Sequence, residues 1–195
     1  MVTTRIGLGF DSHRFVKGRP LVLGGVKIPF EFGLDGHSDA DALVHAIIDA
    51  LLGATGRGNI GERFPDTDPA YAGADSCALL GEVWRELTAD GWQVVNLDCV
   101  VIAESPRLGP HLAAMRSRLA ELLGVTSAEV SVKPKTAEGL GFVGPGRPDR
   151  RPDPRGPEAG LATMAAVLMT TAAPAFPRSP ASSTPLPSSP PGASQ

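Results

Sequence analysis

The sequence predicts a single α+β (mixed α/β) domain built on a mixed sheet. Three observations carry this: Val- and Ile-rich runs of strand length, apolar stripes at helical spacing, and a Gly-Gly pair between two short apolar runs. Taken in order, Arg5–Phe10 alternates weakly and reads as a strand ending at Asp11. Leu21–Leu23 and Val26–Ile28 flank Gly24-Gly25, a hairpin signal. Ala40–Leu52 sets Leu43, Ile47, Ala50 and Leu51 on one helical stripe, with Ser38 and Asp39 as capping candidates and Gly53 as the stop. Ser76–Asp90 repeats the helical pattern through Leu79, Leu80, Val83 and Leu87, and Gly91 terminates it. Val94–Ala103 is a strand, Leu112–Leu123 a helix closed by Gly124, and Val130–Val132 a strand. Leu161–Met169 reads as a strand rather than a helix, and no internal repeat is present. Hairpin and crossover connections in one chain give the mixed class.

Composition narrows the function. The chain has 195 residues, with 18 Lys plus Arg against 21 Asp plus Glu and a net charge of -3. Such a balance supplies no bulk attraction to nucleic acid or to an anionic membrane, so neither is expected as a partner. No apolar run approaches the roughly 20 residues that span a bilayer. Met1–Arg5 leads into a strand pattern rather than a signal peptide, which predicts a soluble, cytoplasmic protein. The 2 cysteines, Cys77 and Cys99, lack Cys-x-x-Cys spacing, so a disulfide framework is excluded and a thiolate zinc site disfavoured. Any metal must be held by His and carboxylate. Of the 19 prolines, seven lie in Thr171–Gln195 and five in Pro145–Pro157. This distribution predicts a globular body over 1–170, a Pro/Arg-rich loop insertion at 145–157 and a disordered tail at 171–195.

Four constellations could carry chemistry. In extended backbone Asp11 and His13 point to the same side, as two ligands of one metal would, although a carboxylate and a histidine two apart are more often a surface pair. Asp41, His45 and Asp49 fall four apart on one helical ridge, whose plain alternative is a solvated face. Three of the 4 histidines, His13, His37 and His45, belong to these two segments, and His37 precedes a helix N-terminus that favours phosphate. His111, beside Pro110, reads as structural. One carboxylate and two histidines with an open fourth position is the plan of a catalytic zinc site. Lys133–Phe142 combines Lys133, Lys135, Thr136 and glycine turns into an anion-binding surface, and Glu138 could hold a hard divalent cation; in isolation a flexible polar loop fits as well. Gly58–Asp68 is turn-rich, an Asx-type surface turn or a binding loop.

In this order, Gly9-Phe10-Asp11-Ser12-His13, Gly36-His37-Ser38-Asp39-Ala40-Asp41 followed by His45 and Asp49, Phe64-Pro65-Asp66-Thr67-Asp68, and Glu138-Gly139-Leu140-Gly141-Phe142 resemble the 2-C-methyl-D-erythritol 2,4-cyclodiphosphate synthase family. The resemblance runs from Arg5 to Phe142 and resumes at Gly156–Met169. It implies helices on one face of the sheet and a homotrimer with active sites between subunits. It also implies conversion of 4-diphosphocytidyl-2-C-methyl-D-erythritol 2-phosphate to the cyclic diphosphate with release of CMP, in non-mevalonate isoprenoid synthesis.

By the same resemblance, Asp11, His13 and His45 bind Zn2+ or another divalent transition metal, and Glu138 contacts a second cation, Mg2+ or Mn2+. His37 and Thr136 are the catalytic pair, and Ser38 holds substrate phosphate with His37. Asn59, Ile60, Gly61, Phe64, Asp66 and Asp68 match the methylerythritol segment, and Ala103, Arg107, Lys135 and Phe142 the remaining substrate contacts. Asp41 and Asp49 match positions behind the metal ligands, with Asp49 the candidate to orient a zinc-bound histidine. Three departures stand out. Asn59 occupies a position commonly Asp, Lys135 one commonly Thr, and Val143-Gly144-Pro145-Gly146-Arg147 replaces a Thr-Gly-Arg-Gly-Glu-Gly run, leaving Arg147 as the candidate for the family arginine. No nucleotidyltransferase segment precedes Arg5, so a single activity is expected. Two other readings compete: a metal-dependent phosphoesterase using zinc-bound water, disfavoured by the lack of a dense two-metal cluster, and a non-enzymatic nucleotide-binding module around a structural zinc, disfavoured because only three ligands are evident.

Overall fold

The computed structural model describes residues 2–138 and 160–171. Phe142, Arg147, the 145–157 insertion and residues 172–195 of the predicted tail lie outside the described residues. Described strands are β1 (Thr3–Lys17), β2 (Leu21–Leu23), β3 (Val26–Ile28), β4 (Phe32–Leu34), β5 (Trp92–Ile102), β6 (Val130–Lys135) and β7 (Gly160–Thr171). Helices are α1 (Ala42–Thr55), α2 (Ile60–Arg63), α3 (Ser76–Ala89) and α4 (Leu112–Leu123).

Five strands form one mixed sheet in the order β4-β1-β7-β5-β6, and β2 with β3 form the separate hairpin. β7 lies antiparallel between β1 and β5, and only β5 with β6 is parallel. The hairpin turns at Gly24 and Gly25, whose φ values of 59° and 71° lie in the left-handed region that favours glycine.

The first strand runs past its expected end at Asp11 to Lys17. Its first part pairs with β7 through Arg14 opposite Gly160, and its last three residues pair with β4. Ladder pairing with β7 overrides the weak strand propensity of Asp11-Ser12-His13-Arg14. The pleat of β1 is also inverted. Gly7 and Gly9 face the interior, whereas Ile6, Leu8 and Phe10 are 76%, 64% and 48% exposed.

The glycines have a steric reason. A Cβ at Gly7 would fall 1.8 Å from the Ala50 carbonyl oxygen, so α1 lies directly on the β1 backbone. That helix is buried nearly all round, through Leu43, Val44, Ala46, Ile47, Ile48, Ala50 and Leu51. It starts and ends later than the spacing predicts. Asp41, not Ser38 or Asp39, is the N-cap, and Gly53 sits inside the helix with open space around it, while Gly56 at φ 71° ends it. The other expected helices and strands stand within a few residues of their predicted bounds. No described helix is long and apolar enough to cross a membrane.

Candidate metal centre

β1 and α1 bring together three side chains that could hold a metal. Asp11 Oδ2 is 2.9 Å from His13 Nε2 and 2.9 Å from His45 Nδ1, and the two ring nitrogens are 3.4 Å apart. Asp11 and His13 share a face of β1 because side chains alternate along a strand. His45 descends onto them from α1, held close by the glycines of β1. Thr163 of β7 adds a tie, its buried hydroxyl donating to the Ala42 carbonyl at 2.7 Å at the start of α1.

The two rings are aimed by their outer nitrogens. His13 Nδ1 donates to the Asp35 carbonyl at 2.5 Å, which leaves Nε2 as the nitrogen that faces Asp11, donating to it when the ring is protonated and free to offer its lone pair to a metal once that proton is gone. His45 Nε2 lies 2.9 Å from Ser76 Oγ and 3.1 Å from Ser38 Oγ. Gly36 gives His13 room, since a Cβ there would meet its Cε1 at 3.1 Å.

Burial works against charge on Asp11, but hydrogen bonds from His13 and His45 and their positive charge outweigh it and hold the carboxyl well below the usual range. Burial likewise opposes the His13 cation, and the Asp11 carboxylate, with the Asp35 carbonyl, outweighs it and raises its pKa. Three donors within 4.8 Å of one another, two of them neutral-capable imidazoles and one an ionised carboxylate, fit a divalent metal with a fourth position open.

A cavity of about 360 Å³ adjoins the triad. The structure brings His13, His37, Ser38, His45, Ile60, Gly61, Phe64 and Asp66 to it, all expected at a site from the sequence, and adds Tyr71, which was not singled out, and Leu79, which was read only as part of a helical stripe. Tyr71 stacks edge-on against Phe64; it lies just past the Gly58–Asp68 turn, and no local spacing marks it. His37 Nε2 donates to the Asp68 carbonyl at 3.0 Å, and the Gly73 N–H donates to the His37 carbonyl at 2.7 Å, fastening this loop. Arg19 spans it from behind, donating to the carbonyls of Gly36 at 2.5 Å and of Ser38.

Ser38 is only 7% exposed. Asn59 is exposed and caps α2 by accepting from the Glu62 N–H at 3.0 Å, and Asp68 accepts from the Ala70 N–H at 2.9 Å. Neither side chain lines this cavity.

Two expected supports of the metal, Asp41 and Asp49, hydrogen-bond to backbone N–H groups rather than to a histidine, although Asp49 is close enough to feel the charges of Asp11 and His45. Asp41 is wholly buried and accepts from the N–H groups of Gly24 at 2.9 Å, Gly25 at 2.7 Å and Val44 at 3.1 Å, so it caps α1 and pins the hairpin. Burial raises its pKa, against those N–H bonds and with help from the Asp39 charge. Asp49 accepts the Ile60 N–H at 2.7 Å rather than a histidine proton, and so positions the 59–61 turn. Burial raises its carboxyl pKa as well, opposed by that N–H.

The other predicted residues gather apart. Ala103, Arg107, Lys135, Thr136 and Glu138 line a second cavity of about 730 Å³ that shares no lining residue with the first. Thr136 Oγ1 donates to Glu138, and the Ala137 N–H donates to Glu104 at 2.9 Å. Glu138 has φ 52°, a left-handed conformation that costs a non-glycine residue about 1–2 kcal/mol.

Known proteins match this chain in sequence and fold. The YgbB family model matches residues 4–148. A protein of Halalkalibacterium halodurans named 2-C-methyl-D-erythritol 2,4-cyclodiphosphate synthase is 49% identical over 165 residues, covering 85% of this chain and 98% of its own. One of Bordetella petrii with the same name is 54% identical over 143 residues, covering 73% of this chain and 88% of its own. Among solved structures, a CDP-bound 2C-methyl-D-erythritol-2,4-cyclodiphosphate synthase aligns with TM-score 0.72 at 39% identity, over 85% of this chain and 99% of that one. The bifunctional IspDF of Campylobacter jejuni aligns with TM-score 0.78 at 37% identity, over 88% of this chain but only 43% of that one. With the family model spanning most of its length and relatives near half identical over almost their whole length, the chain belongs to the YgbB family, that of the 2-C-methyl-D-erythritol 2,4-cyclodiphosphate synthases.

Proposed function

We propose that this chain converts 4-diphosphocytidyl-2-C-methyl-D-erythritol 2-phosphate to 2-C-methyl-D-erythritol 2,4-cyclodiphosphate and CMP. The observation that carries the reading is the three-donor Asp11/His13/His45 cluster opening on a small cavity, in a chain so similar to relatives of that name. An oxygen of the substrate's 2-phosphate attacks its own β-phosphorus, and the bond from that phosphorus to the bridging oxygen breaks, so CMP leaves with the electron pair. No protein nucleophile is required, so the residues must position the substrate and balance its charge.

Bound at Asp11, His13 and His45, Zn2+ or another divalent transition metal supplies Lewis-acid neutralisation of a diphosphate oxygen. Glu138 would hold Mg2+ or Mn2+ near the same diphosphate. Ser38 accepts from the Ala40 N–H at 3.1 Å, leaving its own proton to donate to substrate phosphate. His37 and Thr136 serve the transition state. Ile60, Phe64, Tyr71 and Leu79 offer an apolar wall for the methylerythritol carbon skeleton, with Asp66 as acceptor for its hydroxyls. Ala103, Arg107 and Lys135 line the cavity suited to the cytidine half. Asn59 and Asp68 act on substrate through the turns they cap.

The separation of the two cavities supports a site completed between copies. One chain's metal cluster would meet another's Thr136 and Glu138 in a homotrimer. Ile6, Leu8 and Phe10 of β1, with Met164 opposite Phe10 on β7, present the apolar face such an assembly would cover. Cytoplasmic residence accords with two buried free thiols, Cys77 and Cys99.

Incubation of the purified protein with the diphosphocytidyl substrate, zinc and magnesium, followed by phosphorus NMR, tests the reading. CMP and a cyclic diphosphate are expected. Inorganic phosphate would instead indicate a phosphoesterase, and no turnover a binding module. His45→Ala should lose both zinc and turnover; stoichiometric zinc with full activity would remove His45 from the ligand set.

A further inference from the structure

We infer that Ser76 and Asp39 form a hydrogen-bond relay that fixes which nitrogen of His45 faces the metal cluster. Ser76 opens α3 and is wholly buried, with its backbone start already capped by Asp75, whose side chain accepts from the Cys77 N–H at 2.8 Å. Its hydroxyl is therefore not needed as a helix cap. It stands instead 2.9 Å from His45 Nε2 and donates to Asp39 Oδ1.

The direction of each bond follows from what the groups can do. A carboxylate only accepts, so the hydroxyl proton of Ser76 goes to Asp39. With that proton committed, Ser76 Oγ faces His45 as an acceptor, and His45 Nε2 must carry the ring proton. Ser38 Oγ, at 3.1 Å from the same nitrogen, shares the role. In the neutral ring Nδ1 is then left with its lone pair for a metal, 2.9 Å from Asp11 Oδ2 and 3.4 Å from His13 Nε2; only the protonated ring donates from Nδ1 to Asp11.

Each end of the relay is anchored independently of the ring. Asp39 Oδ1 also accepts from the Asp41 N–H at 3.2 Å, and the Asp39 N–H donates to the Ala74 carbonyl at 3.0 Å. The loop that carries Asp39 and the start of α3 that carries Ser76 are thus locked to one another beside His45. Ser76 and Asp39 touch neither substrate cavity, so they are positioning residues. Such outer partners of a ligating histidine are worth about 10–100-fold in metal affinity.

The inference rests on the metal reading above, and its test separates the two. Metal-free wild type, Ser76→Ala, Asp39→Ala and the double variant are titrated with Zn2+ against a chromophoric chelator. Wild type should bind one zinc, and each single variant should bind about 10–100-fold more weakly. The double variant should lose no more than the weaker single one, because both substitutions break the same relay. Additive losses, or Ser76→Ala binding as tightly as wild type, would overturn the relay while leaving the metal site standing. Wild type that binds no zinc would overturn the metal reading itself and the relay with it. A measurement on unmodified sequence guards against misfolded variants: in zinc-loaded wild type with 15N-labelled histidine, His45 should show a protonated Nε2 and a metal-bound Nδ1. The opposite assignment would refute the relay.

Discussion

Gly9 of β1 lies so close to Ala46 of α1 that a Cβ on Gly9 would stand 1.9 Å from the Ala46 carbonyl oxygen. Two residues along the strand is Asp11, and one residue back along the helix is His45. The close approach of backbones is therefore what sets the distance between two of the proposed metal ligands. Gly9→Ala should push α1 off the strand and cost about 3 kcal/mol, the upper end for overpacking, because the obstacle is backbone and cannot rotate away. Chemical denaturation and zinc titration of the variant check this. Wild-type stability with intact zinc binding would show that the strand and helix can separate without consequence.

Asp41 offers a second test, of architecture rather than chemistry. Its buried carboxylate serves three N–H groups, those of Gly24, Gly25 and Val44. Asp41→Ala removes an N-cap, worth about 1 kcal/mol, and leaves buried donors unsatisfied at about 1–3 kcal/mol each. A loss of about 3–5 kcal/mol in unfolding free energy is expected, together with loss of protection from hydrogen exchange at Gly24 and Gly25. A change under 1 kcal/mol would show that water replaces the carboxylate there.

These two positions mark how far the sequence could be read. Local signals sufficed for the Gly24-Gly25 hairpin, for α3 and α4 with their glycine stops, and for the same-side pair Asp11 and His13, because each depends on spacing within a few residues. Asp41 misled because the ridge at i, i+4, i+8 is blind to where a helix begins; one residue outside α1, it turns toward a hairpin sixteen residues earlier. Ser76 gave no signal at all, since a serine at a helix start is the commonest of caps and its partner His45 lies thirty-one residues away. The exposed Ile6, Leu8 and Phe10 read as an ordinary strand, and only the burial of Gly7 and Gly9 reveals which face is outward.

Protons and metal should compete at the triad with opposite effects on stability. In the metal-free chain, burial opposes charge on both Asp11 and His13, yet their pairing lowers the carboxyl pKa and raises the imidazole pKa. The lowered Asp11 contributes stability that is present above its unfolded value of about 3.9 and is lost as pH falls through the folded one. The raised His13 contributes stability present below about 6.5 and lost as pH rises through its folded value. Metal-free protein should thus be most stable between about pH 4 and pH 6.5. Zinc must displace the His13 proton, so its stabilisation should grow with rising pH. Thermal melts with and without zinc should show a gap that widens from about pH 6 to about pH 8; a narrowing gap would exclude His13 from the ligand set.

Completion of the site between copies predicts complementation of two inactive variants. His45→Ala removes a ligand beside the smaller cavity, and Glu138→Ala disables the larger one. If each working site takes its metal cluster from one chain and Glu138 from its neighbour, a randomly mixed trimer retains sites in which both donors are intact. For equal amounts, half of the chains supply a sound cluster and half of their neighbours a sound Glu138, so about one quarter of wild-type activity should return after co-refolding. Each variant refolded alone should stay inactive. If the mixture also stays inactive while co-purification of one variant through an affinity tag on the other confirms mixed trimers, both halves of the site belong to one chain, and the separation of the cavities in the fold must be closed by motion within it.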